Sequence, residues 1–135
     1  MALQYSTTVR NAWLDNFEST ISTSAVLKIR TGAQPATCAT ADSGTVLASI
    51  TCPSDWMAAA ASGAKAKTGT WQDASADATG TAAHFRLYAS DGTTCHMQGT
   101  VTATGGGGDM TVDSTSFTAA QVFTITTFTL TAPGA

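Results

Sequence analysis

Between residues 94 and 104, TCHMQGTVTAT, small and apolar side chains alternate with hydroxyls and amides. Cys95, Met97, Gly99, Val101 and Ala103 take one parity, and Thr94, His96, Gln98, Thr100, Thr102 and Thr104 take the other. Successive residues of a strand face opposite sides of its sheet, so the pattern predicts a strand with one buried and one wet face. The wet face carries no acid or permanent cation, although exposed strands commonly use charge to discourage pairing with other chains. A surface without it suits contact with a partner.

A second period governs the N-terminal segment. Val9, Trp13, Phe17 and Ile21 recur every fourth residue, with Ala12 and Leu14 beside them, which predicts a helix with an apolar stripe over Val9–Ile21. Ser6 is placed to cap its first turn, and Thr20, Ser22, Thr23 and Ser24 are poor helix formers that end it. The stripe either packs under a sheet or serves as an arm on a neighbouring subunit.

Short apolar alternations then follow, separated by turn residues. Leu27 and Ile29 oppose Lys28 and Arg30, while Val46, Ala48 and Ile50 share a side in a segment stopped by Pro53. A short helical piece is expected over Trp56–Ala61, capped by Ser54 or Asp55 and ended by Gly63. Lys65–Trp71 reads as a weak strand. Ala82–Ala89 reads as a stronger one, with Phe85 and Leu87 inward and His84, Arg86 and Tyr88 outward. Asp91-Gly92 is expected to turn the chain into the 94–104 strand with both residues at positive φ. Gly105–Gly108 reads as a mobile hairpin tip. In residues 122–131 the apolar parity changes between Ile125 and Phe128, which predicts a bulge at Thr126–Thr127 that bends a strand round a corner.

These elements make the chain mainly β, an antiparallel β-sandwich or jelly roll with one N-terminal α-helix. Residues 1–24 form the helical segment and residues 25–135 the sandwich, within a single domain overall. Leu27, Ile29, Phe85, Leu87, Met97, Val101, Val112, Ile125 and Phe128 are the expected core.

Composition narrows the function. Only 11% of residues are charged, and six basic residues against nine acidic ones leave no footprint for nucleic acid. No apolar run reaches bilayer length, so no membrane partner is expected. The first residues lack the basic-then-apolar layout of a signal peptide. A reducing cytoplasm at synthesis is therefore expected, with Cys38, Cys52 and Cys95 as free thiols; Cys38–Cys52 is the alternative bridge.

Candidate chemistry is sparse. His84 and His96 lie on strands with no ligand-spaced neighbour, and Cys95 is expected to point away from His96. Asp73, Ser75 and Asp77 alternate as calcium ligands can, but the glycine is misplaced for an EF-hand and the closing glutamate is missing. No catalytic, cofactor-binding or metal-ligating set is assigned, no cofactor is expected, and the chain reads as a non-enzyme.

The segments VRNAWLDNFESTISTSAVLKIRTG (Val9–Gly32), GTWQDASADATGTAAHFRLY (Gly69–Tyr88), DGTTCHMQGTV (Asp91–Val101) and GGGGDM (Gly105–Met110) resemble a family of small tailed-bacteriophage virion proteins, the capsid cement or decoration proteins. The resemblance covers most of the chain. It implies a jelly-roll fold, synthesis in a bacterial host's cytoplasm, a dimer or small oligomer, and the major capsid protein as partner on the outer capsid surface of the virion. It brings no functional residues with it. A tail-fibre or carbohydrate-binding β-sandwich with Trp56, Trp71 and Tyr88 as stacking platforms is the alternative.

Overall fold

The computed structural model describes residues 3–135. One helix, α1 (Thr7–Ile21), precedes eleven strands: β1 (Val26–Arg30), β2 (Val46–Thr51), β3 (Ala64–Ala66), β4 (Trp71–Asp73), β5 (Gly80–Thr81), β6 (His84–Tyr88), β7 (Cys95–Ala103), β8 (Met110–Val112), β9 (Ser116–Phe117), β10 (Phe123–Ile125) and β11 (Thr129–Thr131). The protein is mainly β, a sandwich with a single α-helix.

The main sheet runs β2-β1-β6-β7-β8, and its inner face supplies Leu27, Ile29, Ile50, Phe85, Leu87 and Val101. Facing it are three two-stranded ladders, β10-β4, β11-β3 and β5-β9, which contribute Trp71, Phe117, Phe123 and Ile125 to the same core. Phe128 bridges the layers, its ring 5.9 Å from both Trp71 and Phe85. The expected core residues are buried, apart from Met97, which is half-buried. The corner at residues 126–128 is realised as a break, not a bulge. Phe123–Ile125 pairs with β4 and Thr129–Thr131 with β3, so the parity change moves the chain between ladders.

Four local expectations are corrected. Residues 56–61 are extended, not helical. Met57 bridges to Lys67, and Ala61 exchanges both backbone hydrogen bonds with Ala64 around Ser62-Gly63. Both turn residues have positive φ, 52° and 75°, the geometry that matches a hairpin's twist. At the β6–β7 turn only Gly92 is left-handed; Asp91 instead accepts hydrogen bonds from the Thr93 and Thr94 amides. The glycine run is not a hairpin tip, because β8 lies parallel to β7, with Val101 opposite Met110 and Ala103 opposite Val112. Parallel neighbours usually need a crossover of a dozen or more residues. Here the chain doubles back within residues 104–109, with the Gly108 amide on the Thr102 hydroxyl and Gly106 and Gly108 packed where a Cβ would strike Thr102.

The fourth correction concerns β6. All five of its residues are buried, so His84, Arg86 and Tyr88 are not solvated. Residues 31–45 form a strap across the outer face of the main sheet and cover them. The Arg86 guanidinium donates to the carbonyls of Cys38 and Thr40, Gln98 donates to the Pro35 carbonyl, and His84 Nδ1 lies 2.7 Å from the Gly32 carbonyl.

Candidate functional site

Helix α1 starts where the sequence places it, with the Ser6 hydroxyl accepting from the Val9 amide. Its orientation differs from the apolar pattern. Arg10, Leu14 and Ile21 face inward with half-buried Phe17, whereas Val9 is 39% and Trp13 45% exposed. The expected stripe divides between two faces: Phe17 and Ile21 meet the core, and Val9 and Trp13 face out.

Polar fastenings set this rotation. Arg10 donates through Nε and Nη2 to the Ala132 carbonyl, and Asn11 accepts from the Gly63 amide. Asp15 accepts from the Ala60 amide and Glu18 from the Met57 amide, so two carboxylates satisfy the hairpin backbone below. Between them lies the Lys65 ammonium, buried, 2.7 Å from Asp15 and 2.8 Å from Glu18. The hydrogen bond from Lys65 holds the Asp15 carboxyl below its usual range. Burial alone would lower the Lys65 pKa, but the two carboxylates outweigh it and raise it. A helix tied through the side chains of Arg10, Asn11, Asp15 and Glu18 cannot roll its Trp13 face inward without orphaning buried donors and acceptors.

The outward face is consequently uncharged, and its N-terminal end, at Val9, Ala12 and Trp13, is apolar, with Asn16, Ser19 and Thr20 beyond it. Tyr5 and Trp13 meet edge to face with ring centroids 4.7 Å apart, Val9 lies one turn from Trp13, and Leu3 precedes them. The Tyr5 amide donates to the Gly134 carbonyl, which fixes the extended segment against the C-terminal residues. Val122 is exposed elsewhere. A patch of aromatic and aliphatic side chains on a firmly seated helix can bury apolar area against a partner.

The second concentration of chemistry lies beneath the strap. Asp42 accepts from Arg30 at 2.8 Å, from Arg86, and from the Tyr88 hydroxyl at 2.7 Å. Burial pushes the Asp42 carboxyl up, but the Tyr88 hydroxyl and both guanidiniums outweigh it and the net shift is downward. Tyr88 is pushed up to about 12, chiefly by burial. His84 is 1% exposed, and burial lowers its pKa, so it sits in the fold as a neutral ring donating from Nδ1. The layer ties strap to sheet.

Of the residues singled out from sequence, His96 is exposed and His84 enclosed on the next strand. Asp73 spends its oxygens on the Ser49 and Ser75 amides, an Asx turn that also blunts the outer edge of β2. The Asp77 amide donates to the Leu47 carbonyl. Among the described residues, no three His, Cys, Asp or Glu side chains converge as a metal-ligand set. Trp56, Trp71 and Tyr88 are fully buried, which removes them as stacking platforms. Cys52 is buried with its thiol pushed up to about 12 by burial. Sequence reasoning missed the burial of Arg10, Lys65, Arg30 and Arg86, whose partners lie far along the chain and carry no spacing signal. Comparison with protein-family models, with curated proteins and with solved structures yields no match.

Proposed function

We propose that this chain is a cement or decoration protein of a tailed-bacteriophage head. It binds the outer surface of the shell, bridges capsomers and stabilises the particle. The observation that carries the reading is the uncharged Tyr5, Val9 and Trp13 face, displayed on a helix whose polar side is anchored in the fold. The sequence resemblance to virion proteins supplies the partner, the major capsid protein. Many copies on a repeating lattice gain from modest contacts, because each contact by a tethered subunit is effectively intramolecular. On this reading the protein is a binder, not an enzyme; it works without cofactor, nucleic acid or membrane, as a dimer or small oligomer.

The test adds purified protein to heads that lack it and measures occupancy and the temperature of DNA release. Occupancy should saturate, DNA release should move to higher temperature, and Trp13→Ser should abolish both while remaining folded. Occupancy should change little with salt, because few charges are available to be screened. Failure to bind heads, with localisation to tail tips or fibres, would replace this reading by receptor binding.

A further inference from the structure

The strap and the sheet each bring one cysteine to the same place. Cys38 lies in the strap, where its carbonyl receives the Arg86 guanidinium at 2.8 Å. Cys95 begins β7, and there the ladder slips: Leu87 faces Met97, but Tyr88 faces Cys95, with His96 as the extra residue. A bulge of this kind re-aims a side chain. It puts Cys95 on the outer, Arg86 and Tyr88 side of the sheet, not on the Met97 side that simple alternation predicts. There the Cys95 thiol adjoins both the Cys38 thiol and the Arg86 guanidinium, and both cysteines are half-buried.

We propose that Cys38 and Cys95 form a reversible disulfide that latches the strap onto the main sheet when the protein meets an oxidising medium. The oxidant is a low-molecular-weight disulfide such as oxidised glutathione. The Cys38 thiolate attacks one sulfur of it, breaks its S–S bond, forms a mixed disulfide and expels one glutathione thiolate. The Cys95 thiol then loses its proton and attacks the Cys38 sulfur, expelling the second glutathione thiolate. Two protein thiols are oxidised to one disulfide, one glutathione disulfide is reduced to two thiols, and the two protons pass to the leaving thiolates or solvent. Burial, together with the neighbouring Cys38 thiol, raises the Cys95 pKa despite the opposing Arg86, so closure is faster at alkaline pH. Cys52 is shut in the core and takes no part. The inference concerns the strap alone and stands whatever the outer face of α1 binds.

The experiment treats the purified full-length chain with oxidised glutathione and follows intact mass, free-thiol count, peptide mapping and melting temperature. The expected product has lost two hydrogens, keeps one free thiol and yields a Cys38–Cys95 linked peptide. Because the latch closes a long loop between distant parts of the sequence, the melting temperature should rise by roughly 10 °C and fall back on adding dithiothreitol. Cys52→Ser should behave identically, whereas Cys38→Ser, which leaves the sheet untouched, should show neither link nor rise. Three free thiols after oxidation, a Cys38–Cys52 bridge, or a persistent glutathione adduct on Cys38 would overturn the proposal.

Discussion

Asp42 holds two guanidiniums and a phenol at once, although its own side chain is 39% exposed. Asp42→Asn removes the charge while keeping the size, leaving Arg30 and Arg86 buried without a counter-ion. Breaking a buried pair costs about 3–5 kcal/mol, and the solvent access of this carboxylate brings the expectation nearer 2–3 kcal/mol, read as a lowered urea midpoint. The same groups set the response to acid. His84 is held neutral in the fold, so unfolded chains take up a proton first, and stability falls as pH drops below about 6.5. Asp42 is held ionised, so its contribution is present above the usual carboxylate range and is lost as pH falls from that range through its lowered value in the fold. A stability–pH curve should therefore decline in two stages, and His84→Gln should flatten only the first. None of this was legible in the sequence. Alternation along HFRLY sends His84, Arg86 and Tyr88 to a wet face, and the strap that covers them has no periodicity of its own.

Helix α1 shows how a correct element can carry a misread face. Its cap and its end are local and were readable from Ser6 and the Thr/Ser run. Its rotation is set by Ala132, Gly63, Ala60 and Lys65, all remote in sequence. Two substitutions separate the faces. Arg10→Ala should destabilise by about 1–3 kcal/mol, leaving the buried Ala132 carbonyl short of donors, whereas Trp13→Ser should stay within about 1 kcal/mol of the parent in chemical denaturation. Gly63 belongs to the same joint. Its φ of 75° suits glycine, and a Cβ there would run into the Arg10 guanidinium. Gly63→Ala should cost about 2 kcal/mol or more and loosen the Ser62-Gly63 turn, seen as faster amide exchange at Ala64. The expected helix at residues 56–61 failed for a related reason. Alanines favour a helix in isolation, but the backbone amides of Met57 and Ala60 are taken by Glu18 and Asp15, and the segment pairs across the hairpin instead.

At the scale of the whole molecule, the sandwich was readable because period-two alternation marks β1, β2, β6 and β7 without outside help. Phe85 sits at its centre, against Phe128 and directly beneath Gly99, whose missing Cβ makes room for the ring. Phe85→Ala should cost about 3–5 kcal/mol through lost burial and the cavity left behind, measured by urea denaturation. The second layer was less legible, since two- and three-residue strands are too short to show a period. Their partners are also distant: β3 waits for β11 and β4 for β10. That pairing order has a consequence for synthesis. The main sheet can assemble once residue 112 has left the ribosome, because all five of its strands lie at or before that point. Trp71 and the 57–67 hairpin must remain uncovered until residues 123–132 emerge. The nascent chain thus passes through a stage with a finished sheet and a bare aromatic core, and pairing across such separations is slow. Arrest peptides placed to expose the chain only as far as residue 120 should give a chaperone-binding, protease-sensitive intermediate, and release of the next dozen residues should close it.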